Sequence, residues 1–162
     1  MLLLAGKLDR TMYGPGFMDF VIEKPEHSPH YQYHLHDPED PKSHRRTVYR
    51  FVVRSQQQPF LTCLDCADAS MLVDRRNESI TPQQALALLN NRFALVMAKH
   101  FGDRISKTAT QKEAIVRQAM LEAFSRPATD DEVKSLTDLM TREGAPALAR
   151  LLFNLNEFTY LD

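Results

Sequence analysis

The run Thr81-Pro82-Gln83-Gln84 constrains this chain more than any other part of its sequence. Three signals coincide there. Thr81 suits a helix N-cap, Pro82 suits the first helical position, and Gln84 stands where a capping-box side chain reaches back to the Thr81 amide. Leu86, Leu89, Phe93 and Met97 then recur at helical spacing, so the helix has one face to bury. Just before it, Arg75-Arg76-Asn77-Glu78 is polar and dibasic, placed where the free amides of a helix start would welcome an anion. The residues C-terminal to this joint read as helices; those N-terminal to it read as largely irregular chain.

The first helix is expected from about Pro82 to Phe101, stopping at Gly102. A second opens on a Thr110–Glu113 capping box, turns Val116, Met120 and Phe124 inward and ends before Pro127. Thr129 and Glu132 make a third box. Its helix buries Val133, Leu136, Leu139 and Met140 and terminates at Gly144. Pro146 starts a fourth, with Leu148, Leu151, Leu152, Leu155 and Phe158 on the apolar side. Short connections imply antiparallel neighbours. The expected fold class is mainly α, a C-terminal bundle of about four helices with an irregular His- and Pro-rich N-terminal arm and at most a minor β element.

The N-terminal half carries weaker signals. Met1–Ala5 is apolar but falls short of the ~7–15-residue core of a signal peptide and lacks a basic leader. It reads as the tail of a helix ended by Gly6, so the chain is expected to be the C-terminal fragment of a longer protein. After the turn at Gly14-Pro15-Gly16, the patch Phe17–Ile22 suits a brief strand. Pro25–Pro41 holds four prolines and four histidines, which argues for an extended arm. His44–Ser55 is two-sided: Val48, Tyr49, Phe51, Val52 and Val53 favour a strand, whereas Arg46, Arg50 and Arg54 make one helical stripe. The stripe tips the expectation to a helix. Pro59–Asn77 reads as loop. At 162 residues this is a single domain, with an irregular arm over 1–44 and a helical body over 45–162.

Composition narrows the chemistry. A net charge of −1 argues against nucleic-acid binding by the whole chain, although Lys42–Arg54 contains no acid and includes Tyr49 and Phe51. No apolar run approaches the roughly 20 residues of a transmembrane helix. The nucleophile-elbow, Walker and dinucleotide fingerprints are absent from the sequence. Cys63 and Cys66 have redox spacing, and with two ligands from His30, His34 or His36 they could hold zinc; buried free thiols are the plainer reading, and no metal is expected. His27, His30, His34 and His36 follow no metal-binding spacing and suit solvated loop positions. The candidate binding residues are Asp65, Asp68, Arg75 and Arg76, with Arg46 from the upstream basic motif. They could hold a sugar, an anion or a divalent cation. Alternatively they form a salt-bridge cluster that pins loop to helix.

Five segments also resemble one known family. Arg45-Arg46-Thr47-Val48-Tyr49 is similar to its arginine-pair motif, and Leu64-Asp65-Cys66-Ala67-Asp68-Ala69-Ser70 to its aspartate motif. Arg75-Arg76-Asn77, with Thr81 and Gln84–Asn90 after it, resembles its longest signature. Ser125-Arg126-Pro127-Ala128-Thr129-Asp130-Asp131-Glu132 looks like R-P-T-x-x-E with one residue inserted. Leu155-Asn156-Glu157-Phe158 looks like a shortened L-N-x-x-E-F ending. The family is the planctomycete-type C-terminal domain of unknown function that follows a cytochrome c-like domain in large exported proteins. The resemblance implies little about chemistry, and the absence of a recognisable catalytic motif favours a non-catalytic accessory or binding module. Its partners would be upstream domains of the same polypeptide, or a glycan. The alternative is a share in a hydrolytic or redox active site completed by those domains, with Asp65 and Asp68 first. It also implies a periplasmic, envelope or secreted location for the full-length protein. Haem attachment needs C-x-x-C-H, and Ala67 follows Cys66, so no cofactor is expected in this chain and haem c would sit on an upstream domain.

Overall fold

Helix dominates the second half of the chain, as its caps and periodicity require. The computed structural model describes residues 1–24, 27–68, 71–72 and 79–159. Two units are distinguished, Met1–Lys7 with Leu88–Asp162, and Leu8–Ala87. The helix α2 (Pro82–Asn90) runs across the boundary in sequence.

The first unit is built from α3 (Arg92–Ile105), α4 (Lys112–Phe124), α5 (Asp130–Glu143), α6 (Ala145–Asn154) and the short α7 (Asn156–Thr159). α3 packs chiefly on α6, and α5 packs on both α4 and α6. Met97, Phe101, Ile105, Val116, Met120, Leu148, Leu152 and Phe153 are the largest fully buried side chains. Phe153 stacks on Phe101 at 5.8 Å between centroids and meets Phe158 at 5.0 Å. Leu4 and Ala5 join this core. Their turn is closed by Gly6 N–H to the Leu3 carbonyl and Lys7 N–H to the Leu2 carbonyl, both at 3.0 Å, with Gly6 at φ +69°. That is the hydrogen-bond pair of a Schellman-type turn with Gly6 at its left-handed position; residues 2–6 are a turn and not a helix.

The helix ends depart from expectation in four places, the first being the expected fourth helix, which Leu155 (φ −72°, ψ 142°) divides into α6 and α7. The run expected as one helix to Phe101 is two, because Asn91 leaves helical geometry (φ −63°, ψ 132°) and its side chain accepts from the Phe93 amide at 2.9 Å. A good N-cap inside a periodic run restarts the helix. Within α2, Leu86 is exposed and Leu88 is buried. Gly102 lies inside α3 rather than ending it: a Cβ there would sit 2.5 Å from the Pro146 nitrogen. Its glycine permits close helix approach, not termination. The Thr110–Glu113 box does not form either, since Gln111 takes the N-cap of α4 without a side-chain bond. The Thr129–Glu132 box does form, with Glu132 accepting from the Thr129 amide at 2.7 Å and Thr129 Oγ1 from the Glu132 amide at 3.3 Å.

The second unit is less regular but not structureless. β1 (Val21–Glu23) pairs antiparallel with β2 (His30–Gln32), Ile22 opposite Tyr31, so the histidine-rich run expected as a plain arm contributes a strand. Buried Phe20 meets the rings of Tyr31, Tyr33 and Phe51 edge-on at 5.1, 5.4 and 6.2 Å. The region expected as loop contains α1 (Pro59–Cys63), started by Gln58, whose side chain accepts from the Leu61 amide at 2.8 Å.

The helix expected for His44–Ser55 is not there. A 3₁₀ turn at Thr47–Tyr49 lies between two parallel bridges, Asp9 with Arg45 and Phe17 with Arg50. Extended backbone lets the Arg45 guanidinium donate to the carbonyls of Thr11, Tyr13 and Pro15 at 3.1, 2.6 and 2.7 Å. Those long-range bonds hold the segment extended on either side of the turn, against a stripe of like charges that a helix would have had to tolerate.

Candidate functional site

The aspartate motif begins where α1 ends. Cys66 N–H bonds the Leu61 carbonyl at 3.0 Å and Asp65 N–H the Thr62 carbonyl at 3.2 Å, again a Schellman pair. Asp65 takes the left-handed position (φ 56°) that glycine usually fills; aspartate is among the few side chains that adopt it readily. Its Oδ2 then accepts three hydrogen bonds, from Ser79 N–H and Oγ at 2.7 Å each and from Gln84 Nε2 at 2.9 Å.

Gln84 is buried and works in two directions. Its Oε1 accepts from the Thr81 backbone N–H at 3.0 Å, and the Gln84 backbone N–H donates to Thr81 Oγ1 at 3.3 Å, completing the capping box that starts α2. One side chain therefore links the helix start to the aspartate motif. Beside it opens a hollow of about 530 Å³, walled by Gln57, Thr62, Ser79, Thr81 and Gln83, with Pro59, Cys63 and Asp65 completing it. Among the described residues its polar groups are hydroxyls and amides, with the carboxylate of Asp65.

The remaining candidates disperse. Asp68 is half-buried and lines a separate cavity of about 30 Å³ with Arg50, Arg54 and Cys66. Arg50 pairs with Asp19 at 3.3 Å, both side chains largely buried. Exposed Arg46 lies over the Tyr49 ring at 5.6 Å, opposite neither aspartate in any ion pair among the described residues. Arg75 and Arg76 lie outside the described residues, as does the rest of 73–78. Cys63 is half-buried and Cys66 exposed, both as free thiols. Among the described residues no group of three His, Cys, Asp or Glu side chains could hold a metal ion. No helix among them is long and apolar enough to cross a membrane.

A second charged constellation has no counterpart among the residues that the sequence marks as a site. Arg126 donates to both oxygens of Glu132 (2.7 and 3.0 Å) and to both of Glu157 (2.6 and 2.8 Å). The signal is present in the sequence, since these residues belong to two of the five family motifs. Pairwise contact between motifs far apart in the chain is what no spacing rule supplies. The Arg126 hydrogen bonds, with the Thr129 amide next in weight, hold the Glu132 carboxyl down from 4.5 to about 2, and Arg126 lowers Glu157 as well. Both acids titrate lower in the folded than in the unfolded state. Their stabilising contribution is therefore complete above the unfolded value of 4.5 and lost as the pH falls through the folded one. Melting temperatures of the wild type should drop between about pH 4.5 and about 2, and Arg126→Gln should show a shallower drop over that window. Parallel melting curves for the two proteins would refute the linkage.

Among known protein families, a model described as PSD1: Protein of unknown function (DUF1553) matches residues 1–140. No curated protein and no solved structure matches the chain.

Proposed function

The chain belongs to the PSD1 family of proteins of unknown function (DUF1553), and from that premise we propose that it is a non-catalytic binding module whose hollow takes a neutral, polyhydroxylated ligand of the sugar class. The observation that carries this reading is the state of Asp65. A carboxylate oxygen that already accepts three hydrogen bonds, one of them from a backbone amide, is a fixed acceptor rather than a poised base. Around it the wall offers hydroxyl and amide groups, which exchange hydrogen bonds with sugar hydroxyls in both directions. The wider setting proposed is an exported multidomain protein of planctomycete type, with a cytochrome c-like domain upstream. The order of the five sequence motifs supports it.

Thermal denaturation with a panel of neutral mono- and oligosaccharides tests the reading. A ligand of the folded state at 100 times its Kd adds about 2.7 kcal/mol, enough to raise the melting temperature by several degrees. Asp65→Asn keeps an acceptor and the left-handed preference and should stay folded. Asp65→Ala removes the acceptor of three hydrogen bonds and should lose about 1–3 kcal/mol of stability. A panel that moves neither wild type nor Asp65→Asn would overturn the binding reading. A sugar consumed rather than bound would replace it with an enzymatic one.

A further inference from the structure

Two thiols flank the residue that anchors the hollow. Cys63 is the last residue of α1, Leu64 caps that helix (φ −94°, ψ 29°), and Asp65 follows in the left-handed region at φ 56°. The amides of Asp65 and Cys66 bond back to the carbonyls of Thr62 and Leu61, so the chain from Cys63 to Cys66 is one closed turn. Both thiols are free, Cys66 exposed and Cys63 half-buried. The turn sends them to different places. Cys63 lines the hollow of about 530 Å³, whereas Cys66 lines the separate cavity of about 30 Å³ with Asp68. Residues three apart in a right-handed helical turn share a face, with Cβ atoms about 5–6 Å apart. That is near the ~3.5–4.5 Å that a disulfide spans. Left-handed Asp65 breaks the alignment. Joining Cys63 to Cys66 therefore moves the Asp65 backbone, and with it the Oδ2 that Ser79 and Gln84 share.

We infer that Cys63 and Cys66 are a reversible thiol–disulfide pair that sets the conformation of the Asp65 turn and thereby the shape of the hollow. The oxidant is a low-molecular-weight disulfide. The exposed Cys66 thiolate attacks one of its sulfurs, forming a mixed disulfide and releasing one small thiolate. The Cys63 thiolate then attacks the Cys66 sulfur, closes the Cys63–Cys66 bond and expels the second small thiolate. Two protein thiols are oxidised and one small disulfide is reduced to two thiols. The two protons that the cysteines lose go to the leaving thiolates. An excess of small thiol runs the same exchange backwards. Zinc held by the pair fits less well, since among the described residues no group of three His, Cys, Asp or Glu side chains could hold a metal ion. The consequence for a ligand rests on the reading of the hollow as a binding site; the exchange chemistry does not.

The test treats the chain with oxidised glutathione and reads its intact mass. The wild-type monomer should lose about 2 Da, the two hydrogens removed on ring closure. Cys63→Ser should instead stop at a mixed disulfide on Cys66, and should reach it faster than Cys66→Ser does on Cys63, because Cys66 is the more exposed thiol. In the oxidised wild type, the Ser79 amide that bonds Asp65 at 2.7 Å should exchange its hydrogen about tenfold faster or more. The sugar-induced rise in melting temperature should shrink, and dithiothreitol should restore both readings. Four results would overturn the proposal: thiols that stay free, a wild type that stays glutathionylated or links chain to chain, a closed disulfide with unchanged exchange at Ser79, or a sugar that stabilises both forms alike. A sugar panel that moves neither form would remove the binding reading alone, since mass and exchange need no ligand to decide the switch.

Discussion

Phe153→Ala should be the most damaging single truncation in this protein, at about 3–5 kcal/mol. Phe153 has no exposed surface, lies on α6 against α3, stacks on Phe101 and meets Phe158 of α7. Removing the ring loses its own burial and leaves a cavity. The rings on either side cannot fill that cavity without leaving their present contacts. A domain whose whole stability is about 5–15 kcal/mol would then sit near its unfolding threshold. Denaturant midpoints for wild type and variant measure the loss directly. A difference below about 1 kcal/mol would mean that the core collapses around the gap and that Phe153 is not its centre.

Gly102→Ala should destabilise by about 1–3 kcal/mol or more, although alanine is the better helix former by about 1 kcal/mol. The added methyl would meet the backbone of the α6 start, at 2.5 Å from the Pro146 nitrogen and 2.7 Å from both the Ala145 carbonyl carbon and the Pro146 Cα. Backbone atoms cannot swing aside as a long side chain can, so α3 and α6 would have to separate. Gly102→Val should be worse, and the pair of variants makes the argument quantitative. If Gly102→Ala melted higher than the wild type, helix propensity would have won and the close approach would not be tight.

Much of the architecture was legible in the residues. Thr81, Pro82 and Gln84 marked the start of α2, Thr129 and Glu132 the start of α5, and Gly144 its end, because caps are satisfied by side chains one turn away. Buried Val133, Leu136 and Met140 of α5 and Leu148 and Leu152 of α6 came from period alone. Mainly helical architecture with a small β element needed nothing further.

The failures have the opposite character. Asn91 divides a helix whose apolar period continues through it, and period alone does not reveal which asparagine turns back to cap. Gly102 reads as a helix stop in sequence because glycine usually ends helices. Only the nearby backbone of Ala145 and Pro146 shows that it makes room for another helix. His44–Ser55 is balanced between two local preferences, and bonds to Thr11, Tyr13, Pro15 and Phe17, some 30 residues away, decide it. The candidate site divides along the same line. Asp65 and the Thr81–Gln84 cap were each visible in sequence, but their junction through Gln84 Nε2 was not. Nor was the grip of Arg126 on Glu132 and Glu157. The sequence by itself determined what each residue satisfies within about one helical turn, since capping and amphipathic period are local interactions. Tertiary structure alone decided which of those local units share a hydrogen bond or a ring face, since such contacts depend on how distant segments pack.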